Sequence, residues 1–150
     1  MDSSEFLEQL KQRFNSIAFE RKETEHELEV LVVTEEPKPY NFYIWIEGGW
    51  TIMDIGATLK SEPSKYFWYQ SWENFYDVDT KWIDELLETA TDQLEILLNK
   101  KTRVIQRKGL LASSFECQYM NSEWAKLSKN RALHSNLELP KISGRKKVYE

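Results

Sequence analysis

The chain has 150 residues, 41% apolar and 30% charged, with a formal net charge of −5, a composition that suits one folded domain and argues against a disordered segment. A single Cys117 and no CxxC exclude an internal disulfide, a cysteine zinc site and a dithiol redox motif. No apolar run approaches the roughly 18–20 residues of a transmembrane helix, and the acidic start Met1-Asp2-Ser3-Ser4-Glu5 lacks the basic end of a signal peptide, so a cytoplasmic protein with no membrane partner is expected.

Asp2 and Glu5 stand at capping-box spacing ahead of Phe6, Leu7, Leu10, Phe14, Ile17 and Ala18. That stripe of three- and four-residue intervals predicts a first helix over roughly 3–20, with Arg21 and Lys22 suiting its carboxyl end. Residues 27–33 read as a strand, and Pro37 and Pro39 punctuate the connection that follows. Residues 40–47 and 50–59 read as a hairpin around Gly48-Gly49, a pair able to take the positive φ angles of a two-residue turn. With Glu47 opposite Trp50, the side chains of Tyr43, Trp45, Glu47, Trp50, Ile52 and Asp54 share one face. Phe42, Ile44, Ile46, Thr51, Met53 and Ile55 share the other, nearly all apolar and therefore expected in the core, while the first set mixes aromatics with two carboxylates and is expected at a partly exposed surface.

In 60–78 the residues Tyr66, Phe67, Trp68, Tyr69, Trp72, Phe75 and Tyr76 crowd together, and a short strand followed by a loop is expected. A second helix starts at a cap on Asp79 or Thr80 and carries the stripe Ile83, Leu86, Leu87, Ala90, Leu94, Leu97 and Leu98. Residues 102–108 and 111–120 read as two strands around Gly109, followed by a short helix near 122–131 and a tail containing Pro140 and Gly144. The order α-β-β-β-α-β-β, with a short carboxyl-terminal helix, implies an α+β fold: a mostly antiparallel sheet of about five strands with two main helices on one face. A single domain is expected over 3–125. Residues 126–150 read as a basic carboxyl-terminal segment, more often a mobile end than a binding site.

Chemistry-bearing motifs are scarce. The five glycines form neither a phosphate loop nor a dinucleotide fingerprint, and there is no GxSxG elbow. His26 and His134 have no neighbouring motif and read as surface histidines. Cys117, on the Phe115–Cys117–Tyr119 side of a strand, reads as a buried structural thiol rather than a nucleophile. Pairs such as Glu47 with Asp54 or Asp77 with Asp79 could form an acid–base site, but 25 acidic residues supply such pairs by chance. No catalytic residue, metal ligand or cofactor is therefore assigned, and the chain is expected not to be an enzyme.

Charge and aromatics carry the functional reading. Residues 124–150 hold seven basic and two acidic residues, leaving 13 basic and 23 acidic residues in 1–123. Such an acidic body repels nucleic acid and attracts basic protein partners. Six Trp and seven Tyr exceed what a core of this size needs, and both residue types are enriched at interface hot spots. Tyr43, Trp45, Glu47, Trp50 and Asp54 are thus the expected partner-binding residues, with Trp68, Trp72 and Tyr76 as secondary candidates.

The run Ile83-Asp84-Glu85-Leu86-Leu87 through Leu94-Glu95-Ile96-Leu97-Leu98, followed by Thr102-Arg103-Val104-Ile105, resembles the helix-then-strand end of small acidic bacterial immunity proteins. That resemblance implies a domain that neutralises a toxin by binding it without catalysis. The order of elements and the acidity also resemble type III secretion chaperones, which would imply a homodimer, although chaperones usually carry fewer tryptophans and a firmer terminal helix. Either resemblance spans roughly residues 3–125. A third reading is an enzyme or small-ligand binder built on the aromatic cluster at 66–76.

Overall fold

The structure, a computed structural model, describes residues 2–108, 110, 113–127 and 146–150. It is α+β, with two helices and nine strands among the described residues and antiparallel pairing throughout. Two compact units are present, Met1–Leu94 and Glu95–Glu150, each described by itself below. No helix among the described residues is long and apolar enough to cross a membrane.

In the first unit, α1 spans Ser3–Arg13 and is capped by Asp2, whose Oδ1 accepts the Glu5 N–H at 2.9 Å. The helix is shorter than the expected 3–20. It stops at Phe14, and 18–23 instead form strand β1 (Ala18–Glu23), whose backbone pairs along its whole length with β2 (Glu27–Val33). Six residues of ladder hydrogen bonds outweigh the extra helical turn that the stripe through Ile17 and Ala18 suggested, since only Phe19 of β1 is even half-buried. Because the cap satisfies an otherwise orphaned donor, Asp2→Ala should cost about 1 kcal/mol, read as a lower urea midpoint with an unchanged slope.

Strands β3 (Tyr40–Glu47), β4 (Ile52–Leu59) and β5 (Glu62–Glu73) complete a five-stranded sheet in the order β1-β2-β3-β4-β5. Within 60–78 the strand is longer than expected, reaching Glu73 because pairing with β4 continues through a bulge near Thr58, and the expected loop follows it over 74–79. The register places Val30, Ile44, Ile55 and Gln70 in one row across β2–β5, and Val32, Phe42, Ala57 and Trp68 in the next. All eight side chains are buried, and so are Ile46 and Met53, whereas Thr51 of the face expected in the core is only half-buried. Tyr40 joins this core with its ring 5.4 Å from Phe42 and 6.0 Å from Phe67.

The β3–β4 connection differs from the expected two-residue turn. Neither Gly48 nor Gly49 has positive φ; Trp50 does, at 60°. Its N–H bonds back to the Glu47 carbonyl at 2.8 Å, so Gly48 to Thr51 form the loop and β4 resumes at Ile52. The pairing is offset by two residues, which keeps the same side chains on each face of the strands but removes Trp50 from the ladder. Gly48 is needed for a different reason from its φ: a Cβ there would lie 2.8 Å from the His26 carbonyl oxygen, which accepts the Gly48 N–H. Helix α2 (Thr80–Asn99) has Asp79 as its cap, accepting the Trp82 N–H at 2.9 Å, and the boundary between units falls within it. From the predicted stripe, Leu86, Leu87, Ala90, Leu94 and Leu97 are buried.

The second unit contains β6 (Thr102–Lys108), β7 (Ser113–Asn121), β8 (Glu123–Lys126) and β9 (Lys146–Tyr149), in the order β8-β7-β6-β9. Residues 123–126 were expected in a helix. Ser122, with φ 64°, instead reverses the chain into β8, and residues 128–131 of that expected helix, like Gly109, His134, Pro140 and Gly144, lie outside the described residues. Part of the basic end is strand β9 on β6. Cys117 is buried across from Val104.

Glu116 of β7 ion-pairs with Arg107 at 3.6 Å and Lys126 at 3.4 Å. Burial works to raise its pKa, but the Gln118 amide and these two cations together outweigh it and hold the carboxyl below 4.5. A depressed carboxylate pKa contributes stability above the unfolded value and loses it as pH falls through the folded one. Wild type should therefore lose stability as pH drops below 4.5, and Glu116→Gln should show a flatter profile over that window when urea midpoints are compared.

Candidate functional site

The side of the first sheet that alternates with the core carries the expected binding residues. One row across five strands reads Lys22, Glu29, Trp45, Asp54 and Ser71; the next reads Glu20, Leu31, Tyr43, Gly56 and Tyr69. Trp45 is half-buried, and its indole Nε1–H donates to Glu27 Oε2 at 2.9 Å, which orients the ring beside an acidic neighbour. Asp54, directly across from Trp45, accepts the Ser71 hydroxyl. Tyr69 has its hydroxyl pKa raised, chiefly by burial and then by the negative charge of Asp54.

The other expected members separate. Tyr43 is on this side but only 3% exposed. Its ring lies on Gly56, where a Cβ would approach the Tyr43 hydroxyl to 2.7 Å, so the missing side chain makes room for the ring. Glu47 is taken up by the turn: its Oε2 accepts the Thr51 hydroxyl and, at 3.2 Å, the Gly49 N–H. The Thr51 hydrogen bond is the main cause of its lowered pKa, and keeps it charged. Trp50 leaves the face altogether. Its ring meets Phe6 of α1 edge-on at 5.5 Å, and its carbonyl accepts the Trp82 Nε1–H of α2 at 2.7 Å.

The secondary candidates do not converge. Trp68 and Trp72 stand on the core side, across from Ala57 and Met53. Tyr76 is 94% exposed beside Phe75 at 60%, on a loop shaped by Asn74 Oδ1, which accepts the N–H groups of Tyr76 and Asp77.

Two residues missed in the sequence belong to the face. Glu27 and Glu29 alternate with Leu28 and Val30, a period-two signal that the sequence carries. Near Glu27 an open cleft of about 290 Å³ is lined by residues including Asp2, Glu23, Glu25, Glu27, Glu47 and Trp50. Glu23 there has a lowered pKa, through the Ser3 hydroxyl first and Arg21 second. Among the described residues no group of three or more His, Cys, Asp or Glu is placed to hold a metal ion. His26 is exposed at the β1–β2 turn. The first unit holds 20 acidic and 8 basic residues, so this face sits in a strongly negative field. No family model, curated protein or solved structure matches the chain.

Proposed function

We propose that the chain is a non-enzymatic, immunity-like binding module that masks a basic protein partner through the sheet face centred on Trp45, with Glu27, Glu29 and Asp54 around it. The observation that carries this reading is the half-buried Trp45 held by Glu27 and placed between Glu29 and Asp54. An indole so oriented has little rotamer freedom left to lose on docking, and its carboxylate neighbours draw in and pair with lysine or arginine. In this reading both helices cover the opposite side, where Gln93 of α2 meets Gln70 of the core row at 3.3 Å. Glu47 and Trp50, assigned to the face by alternation, become supports of the hairpin end, and Tyr43 a packing residue beneath it. The ligand-binder reading of 66–76 finds no support in a cluster that divides between core and solvent.

A lysine-rich peptide is a suitable probe of the face. Trp45→Ala and Asp54→Asn should each weaken its binding by about tenfold or more at low salt, the scale of a hot-spot truncation, whereas Tyr76→Ala should leave it unchanged. Isothermal titration measures this, and wild-type affinity in both face variants would remove the face from the account.

A further inference from the structure

The second unit has the opposite charge balance, with 12 basic and 5 acidic residues, giving +7 against −12 for the first. Its sheet gathers part of this charge on one side. Register places Arg103 across from Gln118 and Gln118 across from Lys126, while Arg107 stands across from Lys146 of β9. Residues about 40 apart in the chain thereby form one basic face. Trp124 lies on the same side, with the Arg103 guanidinium stacked 3.9 Å from its ring centre and the Arg103 Nε–H bonded to Gln118 at 2.8 Å. Among the described residues a single carboxylate, Glu116, pairs with these cations. The Arg107 and Lys126 side chains are 42% and 55% exposed, and Val148, across from Ile105, is also exposed.

We infer that this basic face is an interaction surface whose partner is the acidic Trp45 face of a second copy of the chain, giving head-to-tail self-association. The inference rests on the reading that the Trp45 face takes a basic protein surface, and it names that surface. The two faces are complementary in sign and in their exceptions: Lys22 is the lone cation in the row Lys22–Glu29–Trp45–Asp54–Ser71, and Glu116 is, of the described residues, the lone anion that pairs with the cations of the basic face. Nucleic acid fits the basic face less well. The Trp124 ring that would stack a base already carries Arg103, Glu116 would oppose a phosphate, and the chain as a whole is negative. Because the two faces differ, the contact is heterologous, so copies close into a ring or extend as a chain.

Sedimentation of the full chain tests this. Wild type should exceed monomer mass at low salt and return toward monomer as salt rises, with association weakened by about tenfold or more when the Debye length falls from about 10 Å to 3 Å. Glu29→Lys/Asp54→Lys and Arg107→Glu/Lys126→Glu, each confirmed folded by circular dichroism, should be monomeric alone. Mixed, they should associate, since each supplies the intact face the other lacks. The salt series on wild type needs no variant. Wild type that is monomeric at every salt, or a basic-face variant that associates like wild type, overturns the inference. So does a fluorescent oligothymidylate that binds the basic face while the chain remains monomeric. If wild type is monomeric yet still binds the lysine-rich peptide through Trp45 and Asp54, the acidic-face reading survives and only the identity of its partner fails.

Discussion

Gly56→Ala should destabilise the chain by about 3 kcal/mol, at the upper end of what overpacking costs. A Cβ at this position would lie 2.2 Å from the Trp68 carbonyl oxygen and 2.7 Å from the Tyr43 ring and hydroxyl. The carbonyl belongs to the backbone of β5 and cannot rotate away, so β4 and β5 must part or Tyr43 must leave its place over β4. Stabilities of small domains run to only about 5–15 kcal/mol, so a large fraction of the total is at stake. Gly49→Ala is the matched control. Its Cβ would meet first the carboxylate end of Glu47, at 3.2 Å, and that side chain can move. A change within about 0.5 kcal/mol is expected there. Urea unfolding of both variants gives the comparison; equal midpoints would show that the β4–β5 approach is looser than the geometry requires.

Phe6→Ala should cost about 3–5 kcal/mol, the usual scale for emptying a buried phenyl site. Phe6 is fully buried, and its ring stands edge-on to Trp50, the residue that leaves the β3–β4 ladder at positive φ. The variant removes both the packing of α1 and the partner that holds this indole. The loss of stability should therefore come with a shift in tryptophan emission in the folded state, since Trp50 gains solvent. A loss below about 1.5 kcal/mol would mean that α1 is anchored elsewhere, Leu7 and Leu10 being its other buried side chains.

Periodicity served well wherever burial alone decides a side chain's place. Leu86, Leu87, Ala90, Leu94 and Leu97 of the α2 stripe and Phe42, Ile44, Ile46, Met53 and Ile55 of the hairpin are in the core as read, while Ile83 and Leu98 at the ends of the stripe are half-buried. It failed where backbone pairing decides. Ala18–Glu23 shows almost no strand pattern, with four charged residues and a single half-buried ring, and only β2 beside it makes it a strand. The hairpin end failed for a related reason. Gly48-Gly49 promised positive φ, but Gly48 is required by the approach of the His26 carbonyl, and the left-handed residue is Trp50. Of the candidate face, Trp45 and Asp54 were legible because they sit in regular ladder. Glu27 and Glu29 are equally legible, since they alternate with apolar residues in the same regular ladder. The basic face of the second unit was not legible, because Lys146 stands across from Arg107 through pairing between residues distant in sequence.

The most direct test of the Trp45 face is a map of amide chemical shifts during titration with the lysine-rich peptide. The account predicts that shifts concentrate on Glu29, Trp45, Asp54 and Ser71, grow as salt is lowered, and disappear in Trp45→Ala. Shifts confined to the exposed Phe75–Tyr76 loop, or spread evenly over the acidic surface and indifferent to Trp45, would contradict it.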